Sequence, residues 1–339
     1  MIAHDTTPLI QVLLATYNGE RFLREQIDSV LAQTYAPVEV LVRDDGSSDA
    51  TQTIVGEYVQ RFPGKVRLVP NDGTGGNAQT NFLRLLEASD APYVAFCDQD
   101  DVWLPEKLAL EMDAMRSLEA RFGEASPLLV YTDLRVVDQS LKTVAESFWQ
   151  HQLLPLDSMT KLEKILVQNV VTGCTELMNS ALRSMVLQMP AAASMHDWWS
   201  ALCVGAMGHA TALATPTVLY RQHDSNVLGA MRNRPVTGVP AWRNHTARLQ
   251  TWQMIVQQAE AFLRVYSEQK SSDPKSGDQL PADAQRKLRG LLRCNDSRNR
   301  IVRVASLFMG GYLQQGLRRN LATAWLLWDL DEARRQQQR

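Results

Sequence analysis

The sequence predicts an α/β fold with a mostly parallel sheet flanked by helices, and three observations carry that expectation. Short β-rich runs alternate with helical patterns through the first hundred residues, as βαβ units require. Each strand-like run ends in polar residues, and a parallel α/β sheet binds ligands at the carboxyl ends of its strands. The length, 339 residues with 45% hydrophobic and 21% charged side chains, is that of an ordinary globular protein with a full core and one large domain or two.

Leu9–Ala15 is the first apolar run, followed by Arg21–Gln33, where Phe22, Gln26, Ile27, Val30 and Leu31 fall at helical spacing. Val38–Val42 is a second strand. Asp49–Arg61 is a helix, with Ser47 and Ser48 supplying capping oxygens before it. Val66–Val69 is a third strand, and a loop containing Asn71, Gly73, Gly75, Gly76 and Asn77 leads into a helix over Thr80–Glu87. Tyr93–Cys97 is a fourth, wholly apolar strand. The strand ends, Thr16-Tyr17-Asn18, Asp44-Asp45-Gly46 and Asp98-Gln99-Asp100-Asp101, should converge on one crevice.

A helix over Pro105–Leu118, a strand over Leu128–Leu134, a helix over Leu162–Val167, a strand at Cys174–Met178 and a helix over Ser180–Gln188 follow. His196–Met207 has helical character and Thr217–Tyr220 is a short strand. Residues 240–268 form one long helix, Ser271–Asp283 is a polar linker, and 284–335 are helical. The expected domains are 1–230, with halves near 1–104 and 105–230, and a basic helical extension over 231–339.

The net charge of −2 excludes an electrostatic nucleic-acid binder for the chain as a whole. It conceals an asymmetry: residues 285–339 carry 12 Lys/Arg against 4 Asp/Glu, a local +8, leaving −10 for residues 1–284. Cys97, Cys174, Cys203 and Cys294 form no CxxC pair and are expected as buried thiols. The first 20 residues lack the basic start and cleavage site of a signal peptide, and no run spans a bilayer, so a cytoplasmic protein is expected.

Three carboxylates in four positions, Asp98, Asp100 and Asp101, follow a buried strand. Clustered carboxylates repel, and a cation offsets the repulsion; oxygen ligands suit Mg²⁺ or Mn²⁺. Asp45 and Asp49 suit a turn and a helix cap, whereas Asp44 stands nearer the strand and can accept from a base N–H. Asp197, in Met195-His196-Asp197-Trp198-Trp199, can take a proton from an acceptor hydroxyl. His196 suits a structural role, and Trp198 and Trp199 suit either a core or a sugar platform.

The ordered motifs Ala15-Thr16-Tyr17-Asn18-Gly19, Val42–Thr51 and Asp98-Gln99-Asp100-Asp101 resemble family-2 glycosyltransferases of GT-A fold over about residues 8–230. The resemblance implies a Rossmann-like core and an inverting, metal-dependent transfer from a nucleotide-sugar donor. It implies that Tyr17 stacks on the base and Asp44 hydrogen-bonds it, within a nucleotide site that includes Thr16, Asn18, Glu20, Asp98 and Arg221. Asp98 and Asp100 match the family's D-x-D, with Asp98 near the ribose and both in a metal set completed by His223. Asp197 matches the base position, Arg221 would suit the diphosphate, and Cys174, Thr175, Trp198 and Trp199 would face the acceptor.

The combination Gly173-Cys174-Thr175, His196–Trp199 and Arg221-Gln222-His223-x-x-Asn226-Val227 is similar to the rhamnosyltransferase branch that builds bacterial surface polysaccharides such as O-antigen. That implies dTDP-L-rhamnose as donor and a saccharide or lipid-linked saccharide as acceptor. The alternatives are a UDP-linked hexose donor or a sugar-nucleotide-binding protein without chemistry. A nucleotidyltransferase is disfavoured because Thr16–Glu20 has one Gly and no Lys. The basic and aromatic segment within 285–339 suits either peripheral contact with the inner face of the cell membrane or packing on the catalytic domain.

Overall fold

The computed structural model describes residues 7–73, 76–154, 161–223, 245–267 and 280–337. The expectations at Gly75, at Asn226 and Val227, at 240–244 and over most of the Ser271–Asp283 linker lie outside the described residues. The chain forms two compact units that interleave in sequence. The first takes Met1–Gln152, Val171–Leu187 and Gly208–Ala230, and the second takes Leu153–Val170, Gln188–Met207 and Met231–Arg339.

The first unit is an α/β layer fold. Its strands are β1 (Ile10–Thr16), β2 (Val38–Asp44), β3 (Val66–Leu68), β4 (Tyr93–Cys97), β5 (Val102–Trp103), β6 (Leu128–Val137), β7 (Thr143–Ala145), β8 (Glu176–Asn179) and β9 (His209–Arg221). They form one sheet in the order β3-β2-β1-β4-β8-β6-β9-β5, with β7 paired to β6. The β3-β2-β1-β4 half is parallel, as the alternating pattern requires. Past β4 the sheet is mixed: β8 runs antiparallel to both β4 and β6, and β9 is parallel to β6. In register Thr16 pairs with Asp44, and Leu14 with Cys97, so three motif-bearing strand ends leave the sheet along one edge.

Helices α1 (Leu23–Leu31), α2 (Thr51–Arg61), α3 (Ala78–Ala88) and α4 (Lys107–Phe122) follow β1, β2, β3 and β5. Leu23, Ile27 and Val30 of α1 recur at helical spacing and are buried with Val12, Leu14 and Val40 in one cluster. Each such side chain withdrawn from water contributes roughly 1.5–3 kcal/mol. The N-terminus of α3 is closed by Asn77, whose side-chain oxygen accepts from the Thr80 amide at 2.8 Å. In α4 the fully buried Lys107 pairs with Glu111 one turn on, and its ammonium lies 4.6 Å from the Trp103 ring centroid. Short helices α5 (Phe148–His151), α6 (Leu162–Ile165) and α7 (Ser180–Val186) come next in the chain, with α6 belonging to the second unit.

Strand β9 is far longer than the Thr217–Tyr220 segment expected. Its early residues have no β-pattern of their own, but β6 pairs with them from Leu128↔His209 onward. The entry to β9 requires glycine, because a Cβ on Gly208 would lie 2.3 Å from the Pro127 carbonyl oxygen.

The second unit is helical: α6, α8 (His196–Met207), α9 (His245–Ser267), α10 (Ala282–Asp296), α11 (Arg300–Met309), α12 (Leu317–Trp328) and α13 (Leu330–Gln337). Trp199 is fully buried with Phe262 and Tyr266 of α9, at ring-centroid distances of 5.1 and 6.2 Å. Part of the basic charge of this unit is structural. Arg303 is buried and donates to the Ser297 carbonyl at 2.5 Å and to Asp331 at 2.7 Å, tying α11 to α13. Lys287 bridges Glu163 at 2.9 Å and Asp283 at 3.1 Å. Among the described residues no helix is long and apolar enough to cross a membrane.

Candidate functional site

The motifs after β1 and β2 are bound chiefly to each other. Thr16 Oγ1 donates to Asp44 Oδ1 at 3.0 Å. Asn18 adopts a left-handed backbone, φ 48°, which asparagine tolerates better than most residues. Its amide donates to Ser47 Oγ at 2.8 Å, and its side-chain oxygen accepts from the Ser48 amide at 2.9 Å. Glu20 Oε2 accepts from the Ala50 amide at 2.9 Å, and the Glu20 amide donates to Asp49 at 3.1 Å. Asn18 and Glu20, expected to hold nucleotide, are thus used in joining the two loops. Asp49 accepts from the Thr51 amide at 3.0 Å, but α2 starts after Ala50 without a side-chain cap, so the capping expected of Ser47 and Ser48 does not occur.

Asp44 is buried and heavily engaged. Its Oδ1 accepts from the Thr16 and Ser47 hydroxyls, and its Oδ2 from the Gly46 and Ser47 amides and the Gln52 side-chain amide. A carboxylate has about four lone-pair sites, so a base N–H would exchange with one of these donors. Tyr17 differs from the rest of its loop, for it is 58% exposed. Its main chain is nonetheless fixed: the Tyr17 amide donates to Gln99 Oε1 at 2.8 Å, and Gln99 Nε2 donates to the Tyr17 carbonyl at 2.9 Å.

Gly19 makes room for that contact, since a Cβ there would lie 2.3 Å from Gln99 Oε1. Gly19→Ala is expected to push the Gln99 amide off Tyr17 and weaken nucleotide binding roughly fivefold, the loss of one or two net hydrogen bonds of preorganisation. Isothermal titration with the nucleoside diphosphate checks this; unchanged affinity would remove Gln99 from the site.

The acidic run after β4 divides by depth. Asp98 and Asp100 are partly exposed, whereas Asp101 is fully buried and accepts from the Arg221 amide at 3.0 Å. Burial, then the neighbouring Asp100 and Asp98 charges, hold the Asp101 carboxyl well above the usual range. His223 Nε2 lies 2.8 Å from Asp100 Oδ2, and the His223 ring packs 5.1 Å from Phe22. Donor atoms of Asp98, Asp101 and Cys174 lie within 4.8 Å of one another. Burial and the nearby carboxylates keep the Cys174 thiol protonated, so it is a poor ligand. The carboxylates of Asp98 and Asp100 and the imidazole of His223 are ligand types that suit Mg²⁺ or Mn²⁺, but of these the structure pairs Asp100 with His223, while Asp98 is gathered with Asp101 and Cys174 instead.

Arg221 is a correction. Its guanidinium was expected at a diphosphate, but the residue is 1% exposed and points into the protein. Nε donates to the Asp100 carbonyl at 2.8 Å, Nη1 to the Gln139 carbonyl at 2.7 Å and Nη2 to Glu25 at 2.5 Å, while Cζ sits 4.4 Å from the Phe22 ring centroid. The fork holds the end of β9 against the β4 loop, and so sets where His223 meets Asp100.

Cys174 and Thr175 also depart from expectation. Both are buried, Thr175 Oγ1 donates to the Thr172 carbonyl at 2.7 Å, and neither presents side-chain surface to an acceptor. In the second unit, Trp198 is buried with its indole donating to the Ile165 carbonyl at 2.7 Å, and Trp199 lies in the core, so both take the core alternative over the sugar platform. His196 is buried, and burial pushes its imidazole down to about 3, leaving it neutral. Asp197, in the first turn of α8, is partly exposed, and its Oδ1 accepts from the Trp198 amide at 2.6 Å. A helix N-terminus favours the charged carboxylate.

Sequence reasoning missed Gln99, Glu25 and Phe22. Their roles depend on partners 82, 196 and 201 positions away in sequence, at Tyr17, Arg221 and His223.

Comparison with known proteins finds a family match and related folds. Residues 11–122 match the family Glycosyl transferase family 2. The chain is 26% identical over 230 residues to the dTDP-rhamnosyl transferase RfbG of Shigella flexneri, a match covering 64% of this chain and 74% of that protein. Its fold is similar to that of S. aureus TarS 1-349, solved with UDP, at TM-score 0.51 and 16% identity, over 96% of this chain and 91% of that one. It is also similar to the mannosyltransferase PcManGT of Pyrobaculum calidifontis, solved with GDP-Man and Mn²⁺, at TM-score 0.52 and 17% identity, over 97% and 83%. The segment that carries β1 to α4 and the strand-end carboxylates is therefore a Glycosyl transferase family 2 domain, set in a GT-A fold.

Proposed function

We propose that this protein is an inverting, divalent-metal-dependent glycosyltransferase that moves a sugar from a nucleoside diphosphate to a hydroxyl of a saccharide or lipid-linked saccharide. The observation that carries the proposal is the β4 loop: Asp98 and Asp100 flank Gln99, which grips the main chain of exposed Tyr17, and Asp100 meets His223. Tyr17 stacks on the base from a fixed backbone, so little ordering is required on binding. Asp44 accepts the base N–H in exchange for Gln52.

Asp98, Asp100 and His223 would hold Mg²⁺ or Mn²⁺, which when bound offsets the charge of the departing diphosphate. Arg221 acts as a positioning residue for this pair. Asp197 accepts the proton of the acceptor hydroxyl as that oxygen bonds the anomeric carbon. The bond from that carbon to the diphosphate oxygen breaks, its electron pair leaves with the nucleotide, and attack from the opposite face inverts the centre.

The likeness to RfbG supports dTDP-L-rhamnose as donor and a role in bacterial surface polysaccharide synthesis. The likeness to TarS, also solved with UDP-GlcNAc, supports a UDP-linked hexose as the second reading. Nucleotide release from a panel of dTDP-L-rhamnose, UDP-hexoses and GDP-mannose with Mn²⁺ separates them. Release of dTDP is the expected result, release of UDP alone assigns the second donor, and no release from any donor overturns the transferase reading.

A further inference from the structure

The second unit carries an apolar surface facing outward. Of the large hydrophobic side chains exposed on the described residues, eight of fourteen fall between Ile301 and Trp328. On α11, Ile301, Phe308 and Met309 recur at helical spacing, with Met309 88% exposed, while Arg303 and Leu307 on the same helix are buried. On α12, Leu321, Trp325 and Trp328 recur at i, i+4 and i+7 and are exposed, while Leu326 and Leu327 are buried. The two helices pack on each other. Concentrated apolar exposure of this kind marks a contact surface.

The charge around it selects the partner. From Ser297 to Trp328 the sequence contains no Asp or Glu; Arg298, Arg318 and Arg319 are exposed, and Arg300, also exposed, reaches Asp329 at 3.8 Å. Tryptophans beside arginines suit the boundary between headgroups and acyl chains. A twofold pairing of two copies would instead bring the same arginines together from both sides, which like charges oppose.

We propose that the outer faces of α11 and α12 seat the protein on an anionic lipid bilayer, with the apolar side chains entering the interface and the arginines meeting acidic headgroups. The inference is independent of the transferase reading, because vesicle binding requires no turnover.

Flotation of the full chain with vesicles tests it. The chain is expected to float with phosphatidylglycerol-containing vesicles at about 0.15 M salt, where the Debye length is about 8 Å, and not with pure phosphatidylcholine. Arg318→Glu with Arg319→Glu should weaken binding about thirtyfold, from near 1 kcal/mol per arginine. Met309→Ser with Trp325→Ser should also weaken it, with circular dichroism verifying the fold. Absence of flotation with anionic vesicles overturns the proposal, as do equal binding to phosphatidylcholine and wild-type binding by the arginine variant. A dimer in light scattering that Met309→Ser dissociates would assign the face to a second copy and overturn it too.

Discussion

Asp100→Asn is expected to lower turnover at subsaturating Mn²⁺ by roughly a hundred- to thousandfold, the range for removing one preorganised electrostatic element of a site. The argument rests on what the substitution keeps. Asp100 meets His223 at 2.8 Å through Oδ2, and asparagine retains an oxygen acceptor of the same shape. The Arg221 contact is to the Asp100 main-chain carbonyl and is untouched. The side chain therefore loses its charge while the loop keeps its bonds, and the effect falls on cation affinity. A Mn²⁺ titration of turnover, with direct Mn²⁺ binding measured in parallel, checks this. Wild-type Mn²⁺ dependence in the variant would remove Asp100 from the metal set.

Asp197→Asn should reduce sugar transfer by about 10²- to 10⁴-fold, the span of general-base contributions, with donor affinity unchanged. Oδ1 of Asp197 accepts from the Trp198 amide at 2.6 Å, and the asparagine carbonyl can keep that bond, so the start of α8 stays in place. What disappears is the capacity to take a proton. Transfer assayed with saturating acceptor, beside nucleotide-sugar binding by calorimetry, separates the two. Donor affinity lost in step with transfer would show that Asp197 acts in donor binding or folding and would refute its assignment as base.

The parallel half of the sheet was legible because its evidence is local. Val38–Val42 and Tyr93–Cys97 are short β-rich runs followed by polar residues, and both appear within β2 and β4. The mixed half was less so. Two-residue β5 exists because Val102 and Trp103 pair with Leu219 and Val218, and residues 209–216 become strand through β6. Site residues divide on the same principle. Tyr17 follows the end of β1, Asp98 and Asp100 follow the end of β4, and His223 meets Asp100 at 2.8 Å. The resemblance implies an acceptor role for Cys174 and Trp199 and a diphosphate role for Arg221, but all three side chains are buried. The indole of Trp199 meets residues more than 60 positions later, at Phe262 and Tyr266, and no spacing within His196–Trp199 encodes that.

Gln99 does for Tyr17 what a neighbouring strand would do, using a side chain. A primary amide carries the peptide's own donor and acceptor, so the contact at 2.8 and 2.9 Å continues the ladder between β1 and β4 past Cys97. Glutamate has the reach without the donor, and asparagine the chemistry without the reach, so this position is narrowly constrained. The ring of Tyr17 takes no part in the contact. Exchange of that ring can therefore retune which base is preferred while the loop beneath keeps its shape, making the platform and its mounting separately designable.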